Sequence, residues 1–320
     1  MAVYTEVTDA DLTAFVSAYG LGEVLSCKGI AEGVENSNFQ LVTEGGSFIL
    51  TLYEKRVDPA DLPFFLGLLA HLSQKGVPCP EPVRATDGEI LKVLSAKPAA
   101  IVTFLTGQWP RRVETFHCAE VGRALAEMHL AGQDYGLSRA NALGVDRWRG
   151  ALDACEGRGD EVLNGLTNEL EGELKTLEAQ WPRDLPCGVI HGDLFPDNVF
   201  FRGERLSGLI DFYFACNDVF AYDIAVCLNA WCFENDCSFN ATKARKMLRA
   251  YGKVRALSQA EMDALPVLAR GSAMRFLLTR LYDWLNRSDT ALVNPKDPLE
   301  YLRKLRFHRD VKGPGAYGLE

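Results

Sequence analysis

The sequence contains no apolar run approaching the roughly 20 residues needed to cross a bilayer, no excess of basic charge and no paired cysteine spacing. The first absence excludes a helical membrane span. With 34 basic against 43 acidic side chains and a net charge of −9, the chain also lacks the basic surface that a general nucleic-acid binder needs to neutralise phosphates. The same balance argues against docking on anionic lipid. Nine cysteines, an odd number, are scattered from Cys27 to Cys237, which fits reduced thiols rather than a disulfide framework. Cys227, Cys232 and Cys237 recur at intervals of five, but a zinc site needs closer pairs or nearby histidines, so they read as buried small hydrophobes. The opening Met1-Ala-Val-Tyr-Thr-Glu6 has no basic segment followed by an apolar stretch. No secretory signal is expected there, and a cytoplasmic location is.

What is present is the composition of an ordinary folded protein, 48% hydrophobic and 24% charged, long enough for one large domain or two moderate ones. Thr8 and Asp11 resemble a capping box ahead of Leu12, Phe15, Val16 and Tyr19, and Gly20 stops that helix. Strands are expected at 23–30, 37–43 and 47–53, the last two joined across Glu44-Gly45-Gly46, where glycine supplies a positive φ. Asp58-Pro59 caps a helix running to Gly76, and Pro78, Pro80 and Pro82 follow it. Two further strands, Ile90–Leu94 and Ala99–Leu105, complete a small lobe over 1–105. Beyond the connector Thr106–Pro110 the texture turns helical, at 114–131, 160–180, 219–234, 241–252 and 259–287, with one strand-rich interruption at 187–214. The last ten residues, with Gly313, Pro314, Gly315 and Gly318, are expected to fray.

The interruption reads Val189-Ile-His-Gly-Asp-Leu-Phe-Pro-Asp-Asn-Val-Phe-Phe201, then Leu206-Ser-Gly-Leu-Ile-Asp-Phe212. Given the chain's own counts of His, Asp and Asn, about 0.01 accidental matches to His-x-Asp-x4-Asn are expected, so the pattern is specific. It suits metal-assisted phosphoryl transfer to an alcohol. Asp193 would accept the proton of the attacking hydroxyl, while Asn198 and Asp211 would hold Mg²⁺ ions bridging nucleotide phosphates. Oxygen donors suit a hard cation, and a short rigid loop keeps the base within reach of the acceptor. In the second lobe Asp218, Asp223, Glu234 and Asp236 could meet a cationic substrate, although such acids on helices are more often caps or solvated faces. Arg275, Arg280 and Asp283 lie on one apolar helix, where Arg280 and Asp283, three apart, are expected to pair with each other. An Arg and an acid facing one cleft would suit a zwitterion.

With His191, Asp193, Asn198 and Asp211 in place, the chain resembles the aminoglycoside phosphotransferase and choline kinase superfamily, relatives of the protein kinases. The likeness covers nearly the whole chain. It implies an α+β, two-lobed protein-kinase-like fold, with a small antiparallel β-sheet N-lobe (1–105) and a larger, mainly helical C-lobe (106–320). It also implies ATP and Mg²⁺, with His191 supporting the loop, the adenine near Thr103, Phe104 and Leu105, and nucleotide contacts from Asn36, Asn38 and Thr51. In many relatives the strand after the hairpin carries a Lys or Arg for the phosphates, paired with a Glu on the next helix. Here that strand is Phe48-Ile-Leu-Thr-Leu-Tyr53, with Thr51 at the basic position, and the helix offers Phe64, Phe65 and Gly67. Both members of the ion pair are missing together, and Lys28, Lys55 and Arg56 are the replacement cations to consider. The segments Glu35–Phe39, Ile49–Tyr53, Ile190–Asn198, Ile210–Ala215, Asn229–Cys232 and Lys296–Tyr301 are similar to the homoserine kinases of that superfamily. That similarity implies transfer of the ATP γ-phosphoryl to L-homoserine, with Asp218, Arg275, Arg280 and Asp283 as candidate acceptor contacts. Choline, ethanolamine, hydroxylysine and aminoglycoside kinases share the pattern, and a non-catalytic nucleotide-binding regulator would share the missing ion pair.

Overall fold

The structure, a computed structural model, describes residues 5–30, 36–54, 57–287 and 295–319. Its elements in chain order are α1 (Asp9–Ser17), β1 (Val24–Gly29), β2 (Ser37–Thr43), β3 (Gly46–Leu52), α2 (Leu62–Gln74), β4 (Lys92–Leu94), β5 (Lys97–Thr103), α3 (Thr115–Ala131), α4 (Val145–Asp153), α5 (Leu166–Gln180), β6 (Cys187–Ile190), β7 (Val199–Arg202), β8 (Arg205–Leu209), β9 (Cys216–Val219), α6 (Phe220–Trp231), α7 (Ala241–Val254), α8 (Gln259–Leu285) and α9 (Pro298–Asp310). The chain divides into two units, one of residues 1–108 and 207–213, the other of 109–206 and 214–320.

The first unit is an antiparallel sheet in the order β1-β2-β3-β5-β4. Its hydrophobic alternation sets the faces. Phe39 and Leu41 of β2, Phe48, Leu50 and Leu52 of β3, and Ala99 and Ile101 of β5 pack with Leu12, Phe15, Val16 and Tyr19 of α1. Thr8 caps α1 as expected, accepting from the Asp11 N–H at 3.2 Å. The β2–β3 turn needs its glycines for two different reasons: Gly46 has a φ of +134°, whereas a Cβ on Gly45 would stand 2.9 Å from the Leu21 carbonyl oxygen. Residues 207–213 belong to this unit and not, as expected, to the lobe beginning at 106. The Leu209 N–H donates to the Pro78 oxygen at 2.7 Å, and the Tyr213 ring meets Tyr53 and Phe65 edge-on, each with ring centroids 5.7 Å apart.

The second unit is mainly helical, with the short antiparallel ladder β6–β9. Two of its helices, α4 and α9, lie outside the expected set, as does β9. No helix among the described residues is long and apolar enough to cross a membrane. The C-terminal segment does not fray where it was expected to. Tyr317 is fully buried, and its hydroxyl meets His308 Nδ1 at 2.8 Å. The other ring nitrogen of His308 lies 3.2 Å from Asn229 Oδ1 on α6, and the Asn229 amide donates to the Ala269 oxygen on α8 at 2.8 Å. Burial brings the His308 pKa down to about 3, so the ring is neutral and can serve as donor to Asn229 and acceptor from Tyr317.

Between α5 and α9, Glu169 accepts from Arg306 at 2.6 Å and from Arg309 at 2.5 Å. The Arg306 guanidinium holds the Glu169 carboxyl at about 2, below its ordinary 4.5, against the opposing effect of burial. A carboxylate with a depressed folded pKa stabilises the fold above its unfolded value and loses that contribution as pH falls through the folded one. Glu169→Gln is therefore expected to cost about 1–2 kcal/mol near neutral pH, discounted for the partly exposed arginines, with the gap from wild type closing between about pH 4.5 and pH 2. Urea melts at successive pH values check this, and a gap unchanged at pH 3 would count against it.

Candidate active site

β6 ends at Ile190, and the chain then turns through His191, Gly192, Asp193 and Leu194, a stretch held almost entirely by side chains. The buried Asp223, in the first turn of α6, accepts the His191 N–H at 2.7 Å on Oδ2 and the Gly192 N–H at 2.9 Å on Oδ1. The Asp193 N–H donates to His191 Nδ1 at 3.3 Å. On the carbonyl side, Gly192 O accepts from Arg275 at 2.9 Å, Asp193 O from the Asn198 amide at 2.8 Å and Leu194 O from the Trp231 indole at 2.7 Å. Gly192 has a φ of +73°, the left-handed region that favours glycine, and a Cβ there would come within 3.0 Å of the Phe214 oxygen. A loop with three of its N–H groups and three of its carbonyls held by side chains has few alternative conformations.

Behind Asp223 runs a chain of buried polar groups. His129 of α3 places Nε2 3.1 Å from Asp223 Oδ2 and Nδ1 2.8 Å from the Tyr251 hydroxyl. Arg255 donates to Tyr251 at 3.2 Å and pairs with Glu261 at 2.8 Å, and Glu261 completes a capping box with Ser258 at the start of α8. Burial pushes the Asp223 carboxyl up, but His129 and the bonds to the loop outweigh it and hold it below the usual range, while burial lowers His129. Asp223 is thus an anion and His129 a neutral ring, donating from Nε2 and accepting the Tyr251 proton on Nδ1.

Asp193 is 18% exposed, with Oδ1 3.5 Å from Arg275 Nη1. Burial raises its pKa above the ordinary carboxylate value, against the pull of Arg275 and His191. The Arg275 Cζ lies over the Phe276 ring, 4.0 Å from its centroid. Because the Asn198 amide nitrogen is committed to Asp193, its Oδ1 is the end left for a hard cation. The expected residues His191, Asp193, Asn198 and Arg275 are therefore brought together in the second unit.

The others are placed as follows. Asp211, in the first unit, is exposed and has a φ of +64°, a left-handed conformation that Asp tolerates better than most residues. Its oxygens suit a hard cation. Asn36 Oδ1 accepts the Glu54 N–H at 3.2 Å, and Thr51 donates to Asn38 Oδ1 at 2.8 Å. Thr103 closes β5 with its hydroxyl accepting from the Glu81 N–H at 2.9 Å, Phe104 is partly exposed, and Leu105 packs on Gly208. Asp218 accepts from the Asn141 amide at 2.7 Å and from the Val219 N–H at 2.7 Å, and burial raises its pKa. Arg280, expected to pair with Asp283, bonds Glu300 of α9 at 2.7 Å and the Asp297 oxygen at 3.2 Å; Asp283 is exposed on α8. Of the candidate phosphate cations, Lys28 stands exposed on β1, and Lys55 and Arg56 lie outside the described residues.

Comparison with known proteins gives the family. Residues 26–257 match the family model described as the phosphotransferase enzyme family. The chain belongs to the phosphotransferase enzyme family. Within it, the chain is 65% identical over 319 residues to the homoserine kinase of Rhodospirillum rubrum, covering all of this chain and 99% of that one. It is 62% identical over 320 residues to the homoserine kinase of Parvibaculum lavamentivorans, covering all of both. Among solved structures, it resembles an amicoumacin kinase in complex with AMP-PNP, Ca²⁺ and Ami (TM-score 0.69, 15% identity, 96% of this chain and 95% of that one). It also resembles a spectinomycin phosphotransferase in complex with ADP and spectinomycin (TM-score 0.68, 12% identity, 98% of both). At such identities the structures bear on the fold alone, which is the α+β protein-kinase-like fold.

Within this family member, sequence reasoning missed the loop's supports. Asp223 reads in sequence as one of several acids that could meet a cationic substrate, and the structure gives it the loop backbone instead. The signal was available: Asp223 is the sole charge in the apolar helix Phe-Ala-Tyr-Asp-Ile-Ala-Val-Cys-Leu-Asn-Ala-Trp, and a buried charge needs partners. His129, Tyr251, Arg255 and Trp231 left no local pattern. Asp223→Asn replaces an acceptor oxygen with an amide donor facing an N–H, and it is expected to lower kcat by about 100-fold or more and stability by about 2–4 kcal/mol. Tyr251→Phe removes the proton donated to His129 and the acceptor for Arg255, which keeps its pairing with Glu261, and should cost less than Asp223→Asn in both. Kinetics and urea melts on the two variants check the order, and wild-type kcat in a folded Asp223→Asn protein would contradict it.

Proposed function

We propose that the protein is an ATP-dependent homoserine kinase, and that Asp193 is its catalytic base. The observation that carries the role of Asp193 is the fixed loop: its carboxylate is presented from a backbone whose N–H and carbonyl groups are tied to Asp223, His191, Arg275, Asn198 and Trp231. In the reaction, the side-chain hydroxyl oxygen of L-homoserine forms a bond to the γ-phosphorus of ATP. The bond from that phosphorus to the β,γ-bridging oxygen breaks, ADP leaves, and Asp193 takes the hydroxyl proton. A base that does not swing keeps the acceptor oxygen in line, where positioning supplies most of what catalysis requires. His191 acts on the loop, through its ring and its N–H, and not on the substrate.

Asn198, through Oδ1, and Asp211, through its carboxylate, are the residues that would hold Mg²⁺, which supplies charge neutralisation on the nucleotide phosphates. Thr103, Phe104 and Leu105 are read as the adenine side of the nucleotide site, and Asn36, Asn38 and Thr51 as its phosphate side. Arg275, with Nη1 committed to Gly192 and Asp193, offers its remaining nitrogens to the acceptor carboxylate, and Asp218 is the acid for its ammonium. Arg280 and Asp283 stand further down the ranking, because Arg280 is taken up by Glu300.

The reading is tested by ADP release with ATP and Mg²⁺ against homoserine, choline, ethanolamine, hydroxylysine and kanamycin. Homoserine is expected to give the highest kcat/KM, and a preference for choline or ethanolamine would overturn the assignment. Asp193→Ala should lower kcat by about 100-fold or more while largely sparing MgATP binding. Asp211→Ala should weaken MgATP binding itself, measured by calorimetry, and an unchanged affinity would remove Asp211 from the metal site.

A further inference from the structure

On the sheet face turned away from α1, a neutral pair occupies the register position at which the resemblance implies a phosphate-binding cation in many relatives. Asn38 of β2 lies directly opposite Thr51 of β3, and Thr51 opposite Ala100 of β5. These three share the face opposite that of Phe39, Leu50 and Ile101, which pack with α1. The Thr51 hydroxyl donates to Asn38 Oδ1 at 2.8 Å. A primary amide has one acceptor end and one donor end with two hydrogens. With Thr51 on the oxygen, Nδ2 is the donor end left for another partner. Thr51 is only 4% exposed, whereas Asn38 is half-buried, so the hydroxyl is the brace and the amide is the group a ligand can reach.

The surroundings explain why a neutral donor stands here. Helix α2 contains no acidic residue, and it buries Phe64 and Phe65; Phe65 and Tyr53 both pack edge-on against Tyr213. A lysine at position 51 would sit in a largely apolar setting without the carboxylate that pairs with it in relatives, and an unpaired buried ammonium is destabilising or gives up its proton. An amide delivers N–H donors with no buried charge. We propose that Asn38 Nδ2 donates to a phosphate oxygen of the nucleotide, and that Thr51 is the positioning residue that fixes which end of the amide faces it. The inference rests on the reading of the protein as an ATP-using kinase and adds the group that takes the place of the missing lysine.

The test is calorimetric binding of MgATP, MgADP and adenosine to the full-length protein. Asn38→Asp keeps the size and the acceptor for Thr51 but replaces the donor with a negative charge. It is expected to weaken MgATP and MgADP by about tenfold or more, while adenosine affinity and melting temperature stay at wild-type values. Asn38→Leu should weaken the two nucleotides by about tenfold. Thr51→Val, which frees the amide to turn over, should cost about threefold to tenfold and leave adenosine unaffected. Lys28→Met, on the same face beside Gln40, should cost less than about threefold. Unchanged MgATP affinity in Asn38→Asp, equal weakening of ATP and adenosine, or a loss confined to Lys28→Met would each overturn the proposal. Failure of the acceptor assignment shows differently: the wild-type protein would bind MgATP and leave homoserine unphosphorylated, and the comparison among the Asn38 variants would still stand.

Discussion

The Asp223 carboxylate, shut off from solvent, accepts hydrogens from the backbone of His191, the backbone of Gly192 and the ring of His129, and the position of Asp193 depends on all three being kept. Two adjacent N–H groups pointing at one carboxylate fix the loop against rotation, and Gly192 can satisfy that demand because it takes a left-handed φ. The first turn of α6 is also a favourable place for a negative charge, since the free N–H groups of a helix start carry partial positive charge. Burial alone would protonate this acid, and a protonated acid would turn one acceptor into a donor against the loop. The partners that keep it ionised are thus inseparable from the geometry of the site.

The same logic extends outward. His129 can donate to Asp223 only in the tautomer with its proton on Nε2, and the Tyr251 hydroxyl selects that tautomer by donating to Nδ1. Tyr251 is in turn fixed as a donor by Arg255, which has no acceptor capacity and can only donate to the phenol oxygen. Glu261 neutralises Arg255 and at the same time caps α8, the helix that carries Arg275 to the opposite side of the loop. One helix therefore supports the loop from two directions, through the polar chain at its start and the guanidinium near its middle.

Much of this was legible in the residues, and the parts that were not share a cause. Alternation along Ser37–Thr43 and Gly46–Leu52 gave the strands and their faces, because a half-buried sheet writes its period directly into the sequence. The motif from His191 to Asn198 announced its chemistry through residue types at fixed spacing. α9 was missed although Asp297 and Pro298 spell a helix start, and the tail was read as frayed although Tyr317 is a large aromatic with a buried place to go. Glycine and proline around it suggested a frayed end; what they could not reveal was the helical turn Pro314–Tyr317 and a hydrogen bond to His308. Contacts such as Tyr251 to His129, separated by 122 positions, have no local trace, and only the fold assembles them.

The two units differ in how much charge they bury: the first pairs the little-exposed Glu54 with Lys97, and the second pairs charge more extensively. In the second unit charged groups are taken into the interior together with partners: Arg275 with Gly192 and Asp193, Lys304 with Glu300 and the Asn229 oxygen, Arg255 with Glu261. Each charge can be buried because a rigid helical frame offers enough polar groups to satisfy it. In the first unit the core against α1 is apolar throughout, and α2 brings no acid, so a buried cation there would stand alone. Thr51 and Asn38 satisfy each other with dipoles in place of ions, so no charge is buried there. A charge placed at position 51, which is almost fully buried, would need its partner introduced with it, because either member alone would stand uncompensated.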